Sequence, residues 1–478
     1  MLEILHIASE VFPFSKTGGL ADVAYSLPKA QLALGAKTKV FTPLYKDIYN
    51  NFSLDKVIFN TNIQTQCGNF NFQVYKHLYN DLEFYFFRND HFFFREGYYS
   101  EKGAEYGDNF LRFGCFCEAI LQFLDFFELN PHIIHIHDWQ ASFIPTLIKT
   151  KYPFIKSKIF LTIHNITFQG IFDKYCLQML NIPEYLYNIE FLEFYGAVNF
   201  LKGAIVFSDF ITTVSPTYAK EITSPEFGYG LDGLLRKYQH KLKGILNGID
   251  YEFYNPERDN FIYEKYNKEN IYKKETNKNM LCNKLSLSNN KPLFIYISRF
   301  SEQKGIDLIV NMLETKDMSN FTIVILGSGS IDIEERLKAI SSYKNNIYVY
   351  IGYNEPLAHK LYASADFLLM PSRFEPCGLS QLIAMRYGTI PIVSKRGGLI
   401  DTVKDIKEKG YGFFVDTLNA HSIYYNMERA YNLYCDKEHL YNIAYKCMSL
   451  DFSWRKHAAE YLRCYKLSID YNGDSYEI

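Results

Sequence analysis

A chain of 478 residues is too long to close around one hydrophobic core, so two domains are expected. With 48% hydrophobic and 22% charged residues it reads as a folded chain, and a net charge of -2 excludes a general polyanion binder, so no nucleic-acid partner is indicated. No apolar run is long enough to span a bilayer, so no membrane partner is indicated either. Residues Met1 to Ile7 enter a strand pattern at once, without the basic segment and cleavage site of a secretory leader. Nine scattered cysteines, odd in number and with no CxxC pair, fit free thiols in a reducing cytoplasm. The 40 Tyr and 40 Phe come with much Lys, Asn and Ile, which points to biased codon usage and carries no function.

In chain order, the first half alternates strands and helices. Strand runs are expected at residues 4–8, 39–42, 72–77, 83–87, 133–136, 158–163, 211–214 and 243–246. Helical patterns are expected at 21–34, 109–127, 141–149, 197–208 and 216–222. Such alternation predicts a largely parallel sheet covered on both faces. Residues 251–292 are polar and rich in Asn and Lys, and read as a crossover with a helix near 273–285. A second alternating series follows, with strands at 293–298, 322–326, 348–351, 367–370, 390–393 and 412–415, and a closing helix at 457–467. The domains read as 1–247, joined by the helix at 455–470, a crossover and linker helix at 248–292, and 293–454. Disorder is expected in the final segment, 472–478.

The motifs fall at the carboxyl ends of strands, where open α/β sheets bind ligands. Lys16-Thr17-Gly18-Gly19 follows the first strand: paired glycines expose backbone N–H groups beside a helix start, and Lys16 adds a mobile cation suited to phosphate. It is not a GxGxxG fingerprint, so a nicotinamide is not indicated. His135-Ile136-His137-Asp138 puts two imidazoles on one strand face, but no third ligand cluster follows at a useful spacing, so no metal is assigned. Asp138 is a candidate for a sugar hydroxyl or for closing the cleft, for the N-cap of the next helix, or for both roles. His164 and Asn165 end the next strand and are candidates for the reacting sugar. In the second half Arg299 and Lys304 place two cations at a strand tip, suited to charge growing on a departing diphosphate. Arg373-Phe374-Glu375-Pro376-Cys377-Gly378-Leu379 sets a carboxylate in a strand-to-helix turn, and Gly378 permits close backbone approach. Gly327-Ser328-Gly329 and Gly397-Gly398 are further turns of this kind, and Tyr353 could stack on a base or simply pack.

These segments resemble those of the bacterial glycogen synthase and plastid starch synthase family. The likeness runs nearly end to end through KTGGLADV at 16–23, HDW at 137–139, HN at 164–165 and PEFGYGLDGLL at 225–235. It continues through LNGID at 246–250, EQKG at 302–305, FEPCGLSQ at 374–381 and Gly397-Gly398-Leu399 before Asp401-Thr402-Val403. The resemblance implies a GT-B fold, two Rossmann-like doubly wound α/β domains facing each other across a deep cleft that closes over the donor. It implies transfer of glucose from ADP-glucose to the non-reducing end of an α-1,4-glucan such as glycogen, with retention and without metal or resident cofactor. On this likeness Lys16, Gly18 and Gly19 would meet the nucleotide sugar's phosphates, Arg299 and Lys304 would hold the diphosphate, and Tyr353 would face the adenine. Cys377, Gly378 and Leu379 would bind glucose and phosphate through their amides, while Asp138, His164, Asn165 and Asn247 would line the glucose site. Glu375 would lie by the transferred glucose, as nucleophile or as hydroxyl anchor, and Tyr98 or Tyr99 would match a loop tyrosine near the donor.

Phe168, Tyr254 and Arg396 depart from the family's usual Tyr, Trp and Thr, which bears on donor preference. A nucleophile on the face opposite the leaving phosphate would give double displacement. Only the backbone carbonyl of His164 is placed on that face, so a same-face internal return is the preferred mechanism. Rival readings are another GT-B glucosyltransferase using UDP-glucose, and a glucan-binding protein with an inactive site. A phosphorylase needs pyridoxal phosphate, for which no strong lysine context is present. Oligomeric state stays open, and the location reads as bacterial cytoplasm rather than plastid.

Overall fold

The computed structural model describes residues 1–101 and 103–470. The expected disorder at 472–478 lies outside these residues. The chain divides into two compact units, one of Met1–Leu246 with the segment from Trp454 onward, the other of Asn247–Ser453.

The first unit is built on a nine-stranded sheet. Its order is Leu242–Gly244, Phe210–Thr213, Lys158–Ile163, Ile133–His137, Glu3–Ile7, Lys37–Pro43, Leu82–Arg88, Gly68–Tyr79 and Val57–Thr65. It is parallel up to Leu82–Arg88, and the last two strands add antiparallel pairs. Strand Val57–Thr65 was not expected, because its alternate residues are polar and its edge position buries few of them. Two expected helices also resolve differently. Residues 141–149 become helices Asp138–Ala141 and Ile144–Thr150, and residues 197–199 form a strand of a small sheet before helix Phe200–Phe207.

The second unit carries a six-stranded, wholly parallel sheet in the order Ile347–Ile351, Thr322–Gly327, Leu293–Ile297, Phe367–Met370, Ile390–Ser394, Phe413–Val415. Strand Phe367–Met370 is buried along its whole length, as its unbroken apolar run demands. The segment read as a polar crossover belongs to this unit's core. Tyr254, Ile262, Tyr266, Ile271 and Leu281 pack with the strands. Two of its lysines, Lys274 and Lys278, are buried and satisfied. Lys274 donates to Tyr362 O (2.8 Å), Ala363 O (3.1 Å), Tyr387 O (3.1 Å) and Thr389 Oγ1 (2.8 Å), and Lys278 pairs with Asp366 at 2.8 Å. Composition misleads there because buried polar groups are tolerated once hydrogen-bonded.

Both sheets have a point where chain order reverses. In the first unit Glu3–Ile7 lies between Lys37–Pro43 and Ile133–His137, and in the second Leu293–Ile297 lies between Thr322–Gly327 and Phe367–Met370. The connections leave such a pair of strands in opposite directions and open a crevice at their carboxyl ends. The loops that leave those ends carry the candidate residues. The chain's last described helix, Trp454–Asp470, packs on helix Gly19–Ala33, burying Trp454, Ala458, Tyr461 and Tyr465 against Val23, Leu27, Ile133 and Phe160.

Candidate functional site

In the first unit the loop after Glu3–Ile7 is built around a carboxylate that the motifs did not reveal. Glu10, only 3% exposed, accepts from the Thr17 backbone N–H, from Thr17 Oγ1 (2.9 Å), from the Gly18 backbone N–H and from the Tyr99 hydroxyl (3.2 Å). Burial raises its pKa, and these hydrogen bonds oppose the rise. Two amides of the glycine loop are therefore held from beneath by the chain itself, and helix Gly19–Ala33 starts at Gly19 with Gly18 as its N-cap. Lys16 pairs with Asp22 at 2.9 Å and lies over the Phe12 ring at 5.4 Å. Of the two tyrosines left open, Tyr99 bonds Ser9 (2.7 Å) and Glu10, while Tyr98 stacks on Tyr45 with ring centres 4.1 Å apart.

Asp138 follows Ile133–His137 with φ of 55°, a left-handed backbone that non-glycine residues rarely hold outside constrained sites. Its side chain is not a helix N-cap. Oδ1 accepts from the His164 backbone N–H at 2.7 Å, and the Asn165 backbone N–H also donates to the carboxylate. Burial outweighs those amides and pushes Asp138 up to about 7. Asp138, His164 and Asn165 thus form one cluster across two adjacent strand ends. Asn165 Oδ1 accepts from Thr167 Oγ1 (2.8 Å) and backbone N (3.1 Å).

Behind His164 lies a row of buried imidazoles. His164 Nε2 is 3.0 Å from His137 Nδ1, and His137 Nε2 is 3.1 Å from His6 Nδ1. His6, His135 and His137 could offer three nitrogens to a metal within 4.8 Å of one another. All six of their ring nitrogens, however, already face hydrogen-bond partners: each other, His164, Gln31, Thr162 and Tyr465. Each of these nitrogens is thus accounted for by a hydrogen bond, and no metal is assigned to the row.

In the second unit, Lys304 and Glu375 leave the adjacent strands Leu293–Ile297 and Phe367–Met370 and meet. Lys304 Nζ donates to Glu375 Oε1 (2.8 Å) and Oε2 (2.6 Å), and Ser372 Oγ donates to Oε2 (2.9 Å). The Tyr296 hydroxyl spans the carbonyls of Arg299 (3.3 Å) and Lys304 (3.4 Å), fixing the loop between them. Arg299 itself is exposed. Arg373 forms a two-pronged bond to Asp307 (2.7 and 2.6 Å) and ties the two loops together.

A second collar encloses the turn after Glu375. Gly398 N donates to the carbonyls of Glu375 and Pro376, both at 3.1 Å, and a side chain at Gly398 would stand 2.5 Å from Cys377 Cα. Gly378 has φ of 75°, and Gln381 donates to the carbonyls of Cys377 and Gly378 at 3.0 Å. Cys377 is buried and its thiol is pushed up to about 12, so it acts through its backbone rather than as a thiolate. Leu379 is half-buried and Tyr353 is 72% exposed. Asn247 is 5% exposed, and its buried amide oxygen has no hydrogen-bond partner among the described residues.

The starch synthase catalytic domain model matches residues 3–237, and the model for glycosyl transferases group 1 matches residues 278–446. The chain is 43% identical to the glycogen synthase of Aquifex aeolicus (strain VF5) over 465 residues, covering 97% of this chain and 99% of the relative. The chain belongs to the glycogen synthase family. It is 39% identical to the family's member in Thermotoga maritima over 486 residues, covering 98% of this chain and 99% of that one. The catalytic domain of starch synthase IV from Arabidopsis thaliana, bound to ADP and acarbose, superposes with a TM-score of 0.92 at 34% identity, covering 98% of this chain and all of the other. A sucrose-phosphate synthase from Thermosynechococcus elongatus, at 15% identity and a TM-score of 0.62, shares the fold alone. As a member of the glycogen synthase family the protein is a glycosyltransferase, with the Rossmann-like α/β units of the GT-B class. Among the described residues no helix is long and apolar enough to cross a membrane.

Within each unit the structure gathers the residues that the family's motifs had singled out: Asp138, His164 and Asn165 in the first, Lys304 and Glu375 with Cys377 to Leu379 in the second. Glu10, His6 and Ser372 were missed. His6 is an isolated polar letter in an apolar run, while Glu10 follows Ser9 and Ser372 precedes Arg373 in short mixed segments. The only signal for Glu10 was its place three residues past the first strand.

Proposed function

We propose that this protein transfers glucose from ADP-glucose to the non-reducing end of an α-1,4-glucan, with retention of configuration and no resident cofactor. The observation that carries the reading is the Lys304–Glu375 pair, half-buried on the lysine side and buried on the carboxylate side, at the second unit's switch point. It stands in a chain whose relative was solved with ADP and acarbose.

An ammonium has three N–H donors, and Lys304 spends two on Glu375, leaving one for a donor phosphate oxygen. Exposed Arg299 adds the second cation, and charge growing on the leaving diphosphate is stabilised more in the transition state than before it. Glu375 is gripped by Lys304 and Ser372 at both oxygens. A carboxylate so held suits anchoring a sugar hydroxyl rather than attacking carbon. The reaction is therefore assigned as a same-face internal return, in which the leaving phosphate takes the acceptor's proton. The unpartnered amide oxygen of Asn247 takes a glucose hydroxyl, and the amides of Cys377, Gly378 and Leu379 bind glucose and phosphate. Tyr353 faces the base. In the first unit Asp138, His164 and Asn165 bind glucose hydroxyls, and Lys16 with Gly19 meets the donor's anionic part, the Gly18 amide being taken by Glu10. Bacterial relatives support a bacterial cytoplasm over a plastid.

The test is a screen of radiolabelled ADP-glucose and UDP-glucose against glycogen, maltooligosaccharides and small sugars, with the anomeric configuration of the product read by NMR. ADP-glucose should label glycogen in α-linkage. Transfer from UDP-glucose alone, transfer to small acceptors alone, or glycogen binding without turnover would overturn the reading. A glucosyl ester trapped on Glu375 would overturn the mechanism.

A further inference from the structure

The hydrogen bonds behind His164 continue into two helices far along the chain from it. Gln31, on Gly19–Ala33, presents its amide oxygen to His6 Nε2 at 2.8 Å and its amide nitrogen to the Tyr465 hydroxyl at 3.3 Å. Tyr465, on Trp454–Asp470, lies 2.6 Å from His135 Nδ1. His135 Nε2 lies 2.6 Å from Thr162 Oγ1, which lies 2.6 Å from Thr212 Oγ1, and Thr212 can donate onward to Leu161 O at 3.4 Å. Gln31, His6, His135 and His137 are fully buried.

Elementary donor and acceptor rules then assign every proton. An amide oxygen only accepts, so His6 carries its proton on Nε2 and shows a bare Nδ1. The 3.1 Å gap to His137 is filled by a proton on His137 Nε2, which leaves His137 Nδ1 bare. The 3.0 Å gap to His164 is filled in turn by a proton on His164 Nε2. In the other direction the amide nitrogen of Gln31 donates to Tyr465, Tyr465 donates to His135 Nδ1, and His135 donates from Nε2 to Thr162. Each donor has one acceptor along the whole file. Burial keeps the rings neutral, lowering His6 to about 4 and His164 to about 3, with His135 and His137 well below their usual value. Reversing the file would move the proton on every ring and turn the Gln31 amide end for end.

We propose that Gln31 and Tyr465 are positioning residues that set the tautomer of His164 and leave its Nδ1 as an acceptor for a sugar hydroxyl. The proposal rests on the reading that His164 lines the glucose site.

The test uses the full chain with 15N-labelled histidine. Long-range proton–nitrogen spectra show which ring nitrogen is protonated, and His164→Asn identifies the His164 signals. His164 should carry its proton on Nε2. Gln31→Met removes the acceptor oxygen, so the His6 Nε2–H would be buried with nothing to donate to. The three rings should then invert, placing the His164 proton on Nδ1. Tyr465→Phe frees the Gln31 amide to turn and should give a mixture of both tautomers, and it carries the test alone if Gln31→Met does not fold. In Gln31→Met kcat should fall by about tenfold or more, and in Tyr465→Phe it should fall only in proportion to the fraction of His164 that has inverted, while the glucan KM stays within about twofold in both. A wild-type His164 protonated on Nδ1, tautomers unmoved in the variants, or an inverted tautomer with unchanged kcat would each overturn the proposal. If the unaltered protein makes no glucan, the functional reading fails, and the spectra still decide the tautomer.

Discussion

Lys304 closes on both oxygens of Glu375, at 2.8 and 2.6 Å, in a position where Glu375 is only 3% exposed. On the proposed reading the pair has two separable functions, because one ammonium neutralises a buried carboxylate and also serves the departing phosphate. Lys304→Ala should lower kcat by about 10²-fold or more, and should also destabilise the second unit by about 3–5 kcal/mol by stranding Glu375. Adding Glu375→Gln to Lys304→Ala removes the stranded charge. Thermal denaturation should show stability recovered in the double variant while its kcat stays low. Stability that does not recover, or near wild-type turnover in Lys304→Ala, would count against this division.

Glu10 holds the glycine loop from below. Glu10→Ala leaves the amides of Thr17 and Gly18 without their acceptor, at a cost of about 1–3 kcal/mol. The loosened loop should raise the KM for ADP-glucose more than it lowers kcat, as should Lys16→Ala. Steady-state kinetics with donor varied at saturating glycogen measures this. An unchanged donor KM in Glu10→Ala would mean that the loop holds its shape without it.

Gly398 admits no Cβ, since Cys377 Cα would be 2.5 Å away and the Cys377 carbonyl oxygen closer still. Gly398→Ala must push the Glu375–Gly378 turn aside, a strain of about 1–3 kcal/mol. Folding should persist, with a clear loss of donor affinity by calorimetric titration with ADP. Wild-type ADP binding would show that the collar does not shape the nucleotide site.

Acid should weaken the first unit through its buried imidazoles. His6 and His164 sit at about 4 and about 3 when folded, His135 and His137 well below their usual value, against about 6.5 unfolded. Below pH ~6.5 the unfolded chain binds protons that the folded chain refuses, so stability present above that pH is lost as pH falls towards about 4. Each histidine contributes up to about 1.4 kcal/mol per pH unit in that window. Asp138, raised to about 7, and Glu10, also raised, work in the opposite sense but are fewer. His6→Gln should flatten the dependence of Tm on pH between about 6.5 and 4.5, and an identical slope in wild type and variant would refute the assignment.

What could be read from the sequence was whatever sits at a strand tip in a run of glycines and charges. Strands Lys158–Ile163 and Phe367–Met370 have the bounds expected of them, because unbroken apolar runs have few other uses. The candidate residues at 138 and 164 were legible as polar letters at the ends of such runs, and those at 304 and 375 as charges in the loops that follow them. Within residues 251–292 the helix was legible, Lys274–Leu285 against the 273–285 expected, but its burial was not, since Lys274 and Lys278 spell a solvated linker unless the carbonyls and carboxylate awaiting them are known. Gln31 and Tyr465, 434 positions apart, meet only because the last described helix lies on the first, and no local pattern announces a contact of that span.

That helix has a consequence for how the protein is made. A growing chain emerges amino end first, and domains ordinarily complete themselves in that order. Here the unit begun first is finished last. Val23, Leu27, Ile133 and Phe160 await Trp454 to Tyr465 while the whole of Asn247–Ser453 is synthesised. Nascent chains stalled just short of residue 454 would expose an apolar groove that a holdase chaperone can grip.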